Sequence, residues 1–140
     1  MSRCNNWPRE LTRFIEAKRH QPFAWGVNDC CLFSCDWLLI LTGTDPATVL
    51  NMRGNYQTAL EATRLLQERG GVAAIAREYC ASQKWPEVRP IAAGRGDILL
   101  MNNLGQDVLG VCIGGRGIFA GQDAMEFFPV DQCSSAWKVF

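Results

Sequence analysis

Cys30 is the residue whose type and surroundings most favour chemistry in this chain. It follows the polar pair Asn28-Asp29 and precedes an apolar run that begins at Leu32. Asn28 or Asp29 can cap a helix that starts at Cys30, and the dipole at a helix N-terminus stabilises a nucleophilic thiolate. The pattern predicts a thiol with a lowered pKa, with Asp29 as the helix cap or, alternatively, as a second site residue.

A base for this thiol is not evident. The only histidine is His20, which lies upstream in a predicted loop. A cysteine nucleophile needs a group that takes its proton and returns it to the leaving amine, a contribution of roughly 10² to 10⁴-fold in rate. His20 could serve only by folding back over Cys30, so the simpler interpretation is an exposed residue at the end of the first helix.

The other cysteines favour packing over metal binding. Seven is a high and odd count for 140 residues. Four of them lie among apolar residues, where a free thiol behaves as a small hydrophobe: Cys31, Cys35, Cys80 and Cys112. Cys30, Cys31 and Cys35 lack a Cys-x-x-Cys pair and would project in different directions from one helix. This segment alone predicts no metal site and no cofactor; a metal site completed by a partner chain is an open alternative.

Composition limits the function classes. The 140 residues are 48% apolar and 20% charged, which suits one compact domain with an ordinary core. Fourteen basic and fourteen acidic side chains cancel, so the chain lacks the positive field that nucleic acids and anionic lipid surfaces select. No apolar run approaches the roughly 20 residues that span a bilayer, and the start has no signal core. We expect no nucleic-acid partner, no membrane span and synthesis in a cytoplasm.

Helical patterns fill the first half of the chain, about residues 7–82. Apolar residues at helical spacing, with capping residues before them and glycines after them, predict five helices. The predicted helices are 8–18, 30–41, a short one after Asp45-Pro46, a segment from Thr58 to near Gly70, and 72–80. The second is apolar almost all round and ends at Gly43, which indicates a buried helix.

Short apolar runs separated by glycine or polar turns follow in about residues 95–140. They predict antiparallel strands at 98–101, 108–113, 118–120, 125–128 and 136–140. Helices followed by strands predict an α+β fold in which N-terminal helices pack on a C-terminal antiparallel β-sheet. The glycines between 110 and 121 are assigned to hairpin turns rather than to a phosphate-binding loop, because no Lys-Ser/Thr follows them and no helix opens there.

Four short motifs occur in order within residues 20–115. They are Pro22-Phe23-Ala24-Trp25-Gly26, Asp29-Cys30 at a helix start, Gly96-Asp97-Ile98-Leu99 at a strand start, and Gly110-Val111-Cys112-Ile113-Gly114. This order resembles that of the NlpC-type cell-wall peptidases, which are papain-like cysteine peptidases. We assign Trp25 and Gly26 to shaping the turn before the helix, and the Asp97 carboxylate to tying down the entrance of its strand.

Three further segments extend the resemblance to a smaller group of NlpC-like proteins. The segments 29–33 (Asp-Cys-x-x-Phe), 41–46 (Leu-Thr-Gly-x-Asp-Pro) and 136–139 (Ala-Trp-Lys-Val) are similar to those of short NlpC-like proteins encoded in the tail modules of long-tailed bacteriophages. The resemblance implies a papain-like fold and a virion protein of the tail tip or baseplate. Such a protein assembles in the host cytoplasm with other tail proteins and can meet peptidoglycan. Trp7, Trp85 and Trp137 are candidates for exposed docking residues, with ordinary core or rim positions as an equal alternative.

The resemblance makes Cys30 the nucleophile and places the family's histidine at Val108. Valine cannot accept a proton, and Asp107 should turn away from Cys30 because neighbouring side chains in a strand point to opposite faces, unless a bulge intervenes. The family's third position holds a polar residue that orients the histidine. Its nearest candidates here are Gln122 and Asp123.

Three hypotheses follow from a cysteine without its base. The leading one is a noncatalytic structural subunit of a phage tail tip, in which Cys30 is an inherited, packed position. The main alternative is an active peptidoglycan endopeptidase that uses Cys30 with an unconventional or partner-supplied base to aid genome delivery. A third is a cysteine acyltransferase or a thiol-dependent binding module. An enzyme requires an open cleft and a depressed thiol pKa at Cys30, whereas a structural subunit predicts a filled or apolar groove.

Overall fold

Five α-helices precede a six-stranded antiparallel sheet in the computed structural model, which describes residues 3–140. The helices are α1 (Trp7–Lys18), α2 (Leu32–Thr42), α3 (Pro46–Val49), α4 (Ala59–Glu68) and α5 (Val72–Ser82). The strands are β1 (Glu87–Val88), β2 (Ile98–Asn103), β3 (Gln106–Cys112), β4 (Arg116–Phe119), β5 (Glu126–Pro129) and β6 (Ser135–Trp137). The sheet order is β1-β6-β2-β3-β4-β5. The predicted α+β class is confirmed.

Local sequence signals set several helix ends. Gly43 adopts φ 84° and ends α2. The Asp45 side chain accepts the N–H of Ala47 at 3.0 Å and starts α3. At α4 the Thr58 hydroxyl accepts the N–H of Glu61 at 3.2 Å, as the capping-box spacing predicts. These boundaries agree with the sequence because each one depends on residues within a single turn.

Helix α2 starts two residues later than predicted. Its first residue is Leu32, and Cys30 lies in the turn before it, so the prediction of a cysteine within the first helical turn is wrong. The Asp29 carboxylate caps this end of the helix, because its Oδ1 accepts the N–H groups of Cys31 and Leu32 at 3.0 and 2.9 Å. Although α2 is largely apolar, no helix between residues 3 and 140 is long and apolar enough to cross a membrane.

Hairpin β2–β3 forms the centre of the sheet. Its register runs from Ile98 opposite Val111 to Asn103 opposite Gln106. Strand β6 pairs with β2 on one side, and the two-residue β1, which was not predicted, pairs with β6. The core therefore lies between α2 and the inner face of this hairpin, where Leu32 and Val111 are fully buried.

Not every glycine after residue 109 lies in a turn. Gly114 and Gly115 form the β3–β4 turn as predicted, but Gly110 lies within β3 and Gly117 within β4. A Cβ at Gly110 would approach the ring of Phe119 to 2.3 Å. The assignment of Gly110 to a hairpin turn is therefore wrong, and the close approach of an aromatic ring from the neighbouring strand accounts for this glycine.

Two of the three candidate docking tryptophans are buried. Trp85 is 5% exposed and packs edge-to-face on Tyr79, with ring centroids 5.9 Å apart. Trp137 is 1% exposed because β6 lies inside the sheet, between β1 and β2. Trp7 is half-buried. The interpretation as exposed docking residues is therefore wrong for Trp85 and Trp137, which take the alternative core positions.

The four cysteines assigned to packing are buried, as predicted: Cys31, Cys35, Cys80 and Cys112. They contribute to the hydrophobic clusters on the two faces of the sheet. Within residues 3–140, no group of three or more His, Cys, Asp or Glu side chains is arranged to hold a metal ion. Their burial in these clusters makes the four thiols part of the apolar packing of the fold.

The carboxylate of Asp97 is fully buried at the entrance of β2. Its Oδ1 accepts the Arg3 guanidinium at 2.7 Å and the Val139 N–H at 2.9 Å. Its Oδ2 accepts the Gly94 N–H at 2.8 Å and pairs with the Lys138 ammonium at 3.0 Å. Asp97 ties down the strand entrance, as expected from the sequence, and also joins it to segments near both ends of the chain.

Candidate functional site

Cys30 borders a groove of about 440 Å³ between the turn before α2 and the β3–β5 part of the sheet. Its lining includes Trp25, Cys30, Gln106, Val108, Gln122 and Glu126. The groove is open and carries polar side chains, so it is neither filled nor apolar as the structural hypothesis predicted. Cys30 is only 2% exposed, so the thiol borders the groove while presenting almost no surface to solvent.

The turn that carries Cys30 is fixed by hydrogen bonds on both sides. The Cys30 carbonyl accepts the N–H of Leu109 at 2.8 Å, which docks the turn onto β3. Asp29 is fully buried, and its Oδ2 accepts the Gly26 N–H at 2.9 Å and the Tyr56 hydroxyl at 2.7 Å. Together with the two N–H groups at the start of α2, these contacts make Asp29 the cap and anchor of the turn. Asp29 does not line the groove.

Gly26 is required by the same turn. It adopts φ 82°, and a Cβ at this position would lie 2.4 Å from the carbonyl oxygen of Tyr56. The neighbouring Trp25 lines the groove and packs edge-to-face on Phe23 at 4.8 Å. Gly26 thus shapes the turn, as predicted, while Trp25 also reaches the groove.

The surroundings of Cys30 raise the pKa of its thiol well above the ordinary value of 9.0. Burial is the largest cause, because a thiolate loses its solvation there, and the adjacent Cys31 and Asp29 add unfavourable charge interactions. Hydrogen bonds from the Cys30 backbone and the Gln106 side chain lower the pKa but do not offset burial. The predicted lowering of the Cys30 pKa is therefore wrong, because burial outweighs any effect of the helix dipole and the Asp29 carboxylate raises the pKa further.

Val108 occupies the position at which the resemblance places the histidine, and it lines the same groove as Cys30. Asp107 faces elsewhere, since its carboxylate accepts the side-chain amide of Asn102 at 3.1 Å and it does not line the groove. The alternation of the strand therefore behaves as predicted. Apart from Cys30, the only titratable side chain that lines the groove in the described part of the chain is Glu126.

The remaining candidates divide between groove and surface. Gln122 lines the groove, and its carbonyl accepts the N–H of Phe23 at 3.1 Å, which joins two of the groove walls. Asp123 is exposed and does not line the groove. His20 is exposed just beyond α1 and is also outside the lining. The structure therefore brings Gln122 close to Cys30 and leaves Asp123 and His20 out.

Sequence reasoning missed three polar lining residues, Asn103, Gln106 and Glu126. Gln106 lies two residues before Val108 on β3, so strand alternation places both on one face and could have identified it. Asn103 lies opposite Gln106 in the β2–β3 pairing, so it reaches the groove on the same face of the sheet. Glu126 reaches the groove only because β5 pairs with β4, a long-range arrangement that no local pattern indicates.

Comparison with known proteins places the chain in a family. No curated protein and no solved structure matches it. The family model described as "Domain of unknown function (DUF6950)" matches residues 2–139, which is nearly the whole chain. The chain therefore belongs to the DUF6950 family.

Proposed function

We propose that the chain is a structural subunit of a bacteriophage tail tip or baseplate, built on a papain-like, NlpC-like fold whose peptidase site is degenerate. The observation that carries the proposal is the pairing of Cys30 with Val108 in one groove. Cys30 keeps the position of the nucleophile, and Val108 places an isopropyl group where the family has its base. The order of helices before an antiparallel sheet supports the choice of this fold, and the Asp29-Cys30 turn is docked on β3.

The chemistry of the groove supports a noncatalytic role. Peptide cleavage needs a thiolate and then an acid that protonates the leaving amine. The raised pKa of Cys30 keeps its thiol protonated at neutral pH. No histidine, lysine or arginine lines the groove in the described part of the chain, which leaves the Glu126 carboxylate as the one acid–base side chain in the lining besides Cys30. An acyltransferase that used Cys30 would likewise face a protonated thiol and a groove without histidine, lysine or arginine.

Mass spectrometry of muropeptides tests the proposal. Purified peptidoglycan is incubated with the wild-type chain, with Cys30→Ala and with Cys133→Ala, whose cysteine lies outside the groove. Each chain is used alone and in assembled tails. We expect no cleavage in any sample and equal incorporation of all three chains into tails. Cleavage lost only in Cys30→Ala would refute the noncatalytic role, and absence of the wild-type chain from purified tails would refute the structural one.

One observation favours the alternative, an active peptidoglycan endopeptidase. The groove beside Cys30 is open and holds the carboxylate of Glu126, so one of the two features that an enzyme requires is present. Under this alternative Glu126 is the available base, and both Cys30→Ala and Glu126→Gln abolish cleavage. Under the leading proposal Glu126→Gln has no effect on muropeptide release, because nothing is released to begin with.

A further inference from the structure

We infer that the groove bordered by Cys30 binds an uncharged saccharide, with a sugar ring against Trp25 and hydroxyl groups on the surrounding carboxamides. The inference rests on the proposed noncatalytic role, because it assigns the groove a ligand that is held and not cleaved. Three independent properties of the lining support it: its hydrogen-bonding groups, its aromatic wall and its charge.

Three carboxamides converge on the groove from different segments. Asn103 ends β2, Gln106 begins β3, and Gln122 lies between β4 and β5. Apart from the contact of Gln106 with the Cys30 thiol, their side-chain amides make no hydrogen bond to another residue within 3–140. Each offers two donors and an acceptor. Sugar hydroxyls both donate and accept, so a polyhydroxylated ligand uses all of these groups at once.

An aromatic pair forms one wall of the groove. The rings of Phe23 and Trp25 meet edge-to-face, with centroids 4.8 Å apart and an interplanar angle of 83°. Phe23 and Trp25 are both half-buried and both line the groove, so part of each ring is accessible from it. Aromatic faces bury the apolar side of a ligand while leaving its polar edge free. The C–H face of a pyranose ring fits this wall, with its hydroxyls directed toward the carboxamides.

The charge of the groove excludes anionic ligands. Glu126 is its only carboxylate, it forms no ion pair within residues 3–140, and no cationic side chain lines the groove there. A phosphate or carboxylate ligand would meet the Glu126 charge without a compensating cation. A hydroxyl group, in contrast, donates to a carboxylate in a charge-assisted hydrogen bond. The lining therefore favours a neutral ligand with many hydroxyl groups.

Gly121 sets the position of the Glu126 side chain. A Cβ at Gly121 would lie 2.3 Å from the backbone carbonyl oxygen of Ala124 and 2.4 Å from Cγ of Glu126, so the carboxylate arm lies directly across this glycine. Glu126→Gln removes the charge of the arm while keeping its length, so it tests the hydrogen bond from a ligand hydroxyl to the carboxylate.

An NMR titration of the full chain tests the inference. The probes are maltotetraose, cellotetraose and mannotetraose, with Ala-Gln-Ala-Ala amide as the competing peptide, each to about 10 mM, which detects a Kd in the millimolar range. We expect saturable shifts of the Trp25 indole and of the Gln106 and Gln122 side-chain amides with at least one saccharide. Trp25→Ala and Gln122→Ala should weaken that binding at least about tenfold, or about 1.4 kcal/mol.

Gln67→Ala is the matched control, because Gln67 is exposed on α4 and lies outside the groove. This variant should bind the saccharide with the affinity of the wild type. The Gln122→Ala substitution keeps the backbone hydrogen bond to Phe23, so this variant stays informative even if Trp25→Ala does not fold. No shift with any saccharide, or shifts with the peptide alone, would overturn the inference. If the titration fails but the chain enters tails normally, only the saccharide inference is overturned. If the chain binds a saccharide but is missing from tails, only the proposed function is overturned.

Discussion

The hydroxyl of Tyr56 donates a hydrogen bond of 2.7 Å to the buried carboxylate of Asp29, one residue before Cys30. Burial and the Asp29 charge raise the pKa of Tyr56, so its phenol remains a donor. The bond joins the turn before α2 to the loop before α4, two segments that are 27 residues apart. It also helps to hold, beside Cys30, the carboxylate whose charge opposes thiolate formation.

Tyr56→Phe should destabilise the fold. The change removes one of the donors to a fully buried carboxylate and leaves part of its hydrogen-bonding capacity unmet, at a cost of about 1 to 3 kcal/mol. Urea unfolding followed by tryptophan fluorescence measures the loss. Tyr79→Phe is the control, because the Tyr79 hydroxyl has no hydrogen-bond partner among residues 3–140, and we expect little change there. Equal losses in both variants would contradict the role given to the Tyr56 bond.

Val108→His should activate the thiol of Cys30. In the wild type we expect iodoacetamide to modify the partly exposed Cys4 and Cys133 well before Cys30, which is buried and has a raised pKa. An imidazole at position 108 enters the same groove and supplies a proton acceptor. The alkylation rate of Cys30 at pH 7.5 should rise at least about tenfold, the effect of lowering the pKa by one unit.

Peptide mass spectrometry after timed quenching gives the rate at each cysteine. Val108→Asn is the control, because it introduces a polar side chain of similar size without a basic nitrogen. Rates at Cys4 and Cys133 serve as internal standards within each sample. If Val108→His and Val108→Asn accelerate alkylation equally, increased access rather than a base explains the gain, and the geometric assignment of position 108 fails.

Stability should fall above about pH 9. Burial raises the pKa of Cys80 to about 12 and that of Cys30 above its ordinary value of 9.0. Above pH 9 the unfolded chain loses thiol protons that the folded chain retains, so the free energy of unfolding decreases as the pH rises. Each such thiol contributes a slope of up to about 1.4 kcal/mol per pH unit until its folded pKa is reached.

Urea unfolding at pH 7, 9 and 10 in the presence of a reducing agent measures this slope. Cys80→Ala removes one of the titrating thiols and should make the decrease between pH 9 and 10 shallower than in the wild type. The comparison uses slopes, so the cavity that the substitution leaves does not affect it. A free energy of unfolding that is constant across this range would show that the thiols titrate alike in both states.

Asp97→Asn should cost about 3 kcal/mol of stability. The substitution removes the charge that compensates the Arg3 guanidinium and the Lys138 ammonium, and breaking a buried ion pair leaves its partner without a counter-charge. Asp131→Asn, at an exposed carboxylate, is the control and should change stability by less than about 0.5 kcal/mol. Thermal unfolding with circular dichroism detection distinguishes the two. A similar small effect at both positions would mean that Asp97 does not organise the strand entrance.

The sequence predicts this fold wherever the determining contacts are local. Gly43, Asp45 and Thr58 mark helix ends correctly because capping is completed within one turn of chain. The side of β3 that faces Cys30 also follows from simple alternation, which places Val108 in the groove and Asp107 outside it.

The candidate site was less predictable because long-range contacts make it. The pKa of Cys30 depends on burial under strands that lie some 80 residues away in the chain, and its neighbour Asp29 is engaged by Tyr56. Trp137 was a candidate docking residue, yet β6 inserts between two other strands and covers it. Glu126 enters the groove through the pairing of β5 with β4. None of these arrangements leaves a periodic pattern in the sequence.

The contacts of Asp97 also fix the position of two distant segments relative to the groove. Arg3 contacts the Asp97 carboxylate and donates from Nε to the Val139 carbonyl at 2.8 Å, so residues 3 and 139 lie at one spot. That spot adjoins Ile98, the first residue of β2. Asn103, which lines the groove, is the last residue of the strand, about 17 Å further along. A substitution that disrupts the ion pairs of Asp97 would therefore act at the end of β2 that is remote from the groove.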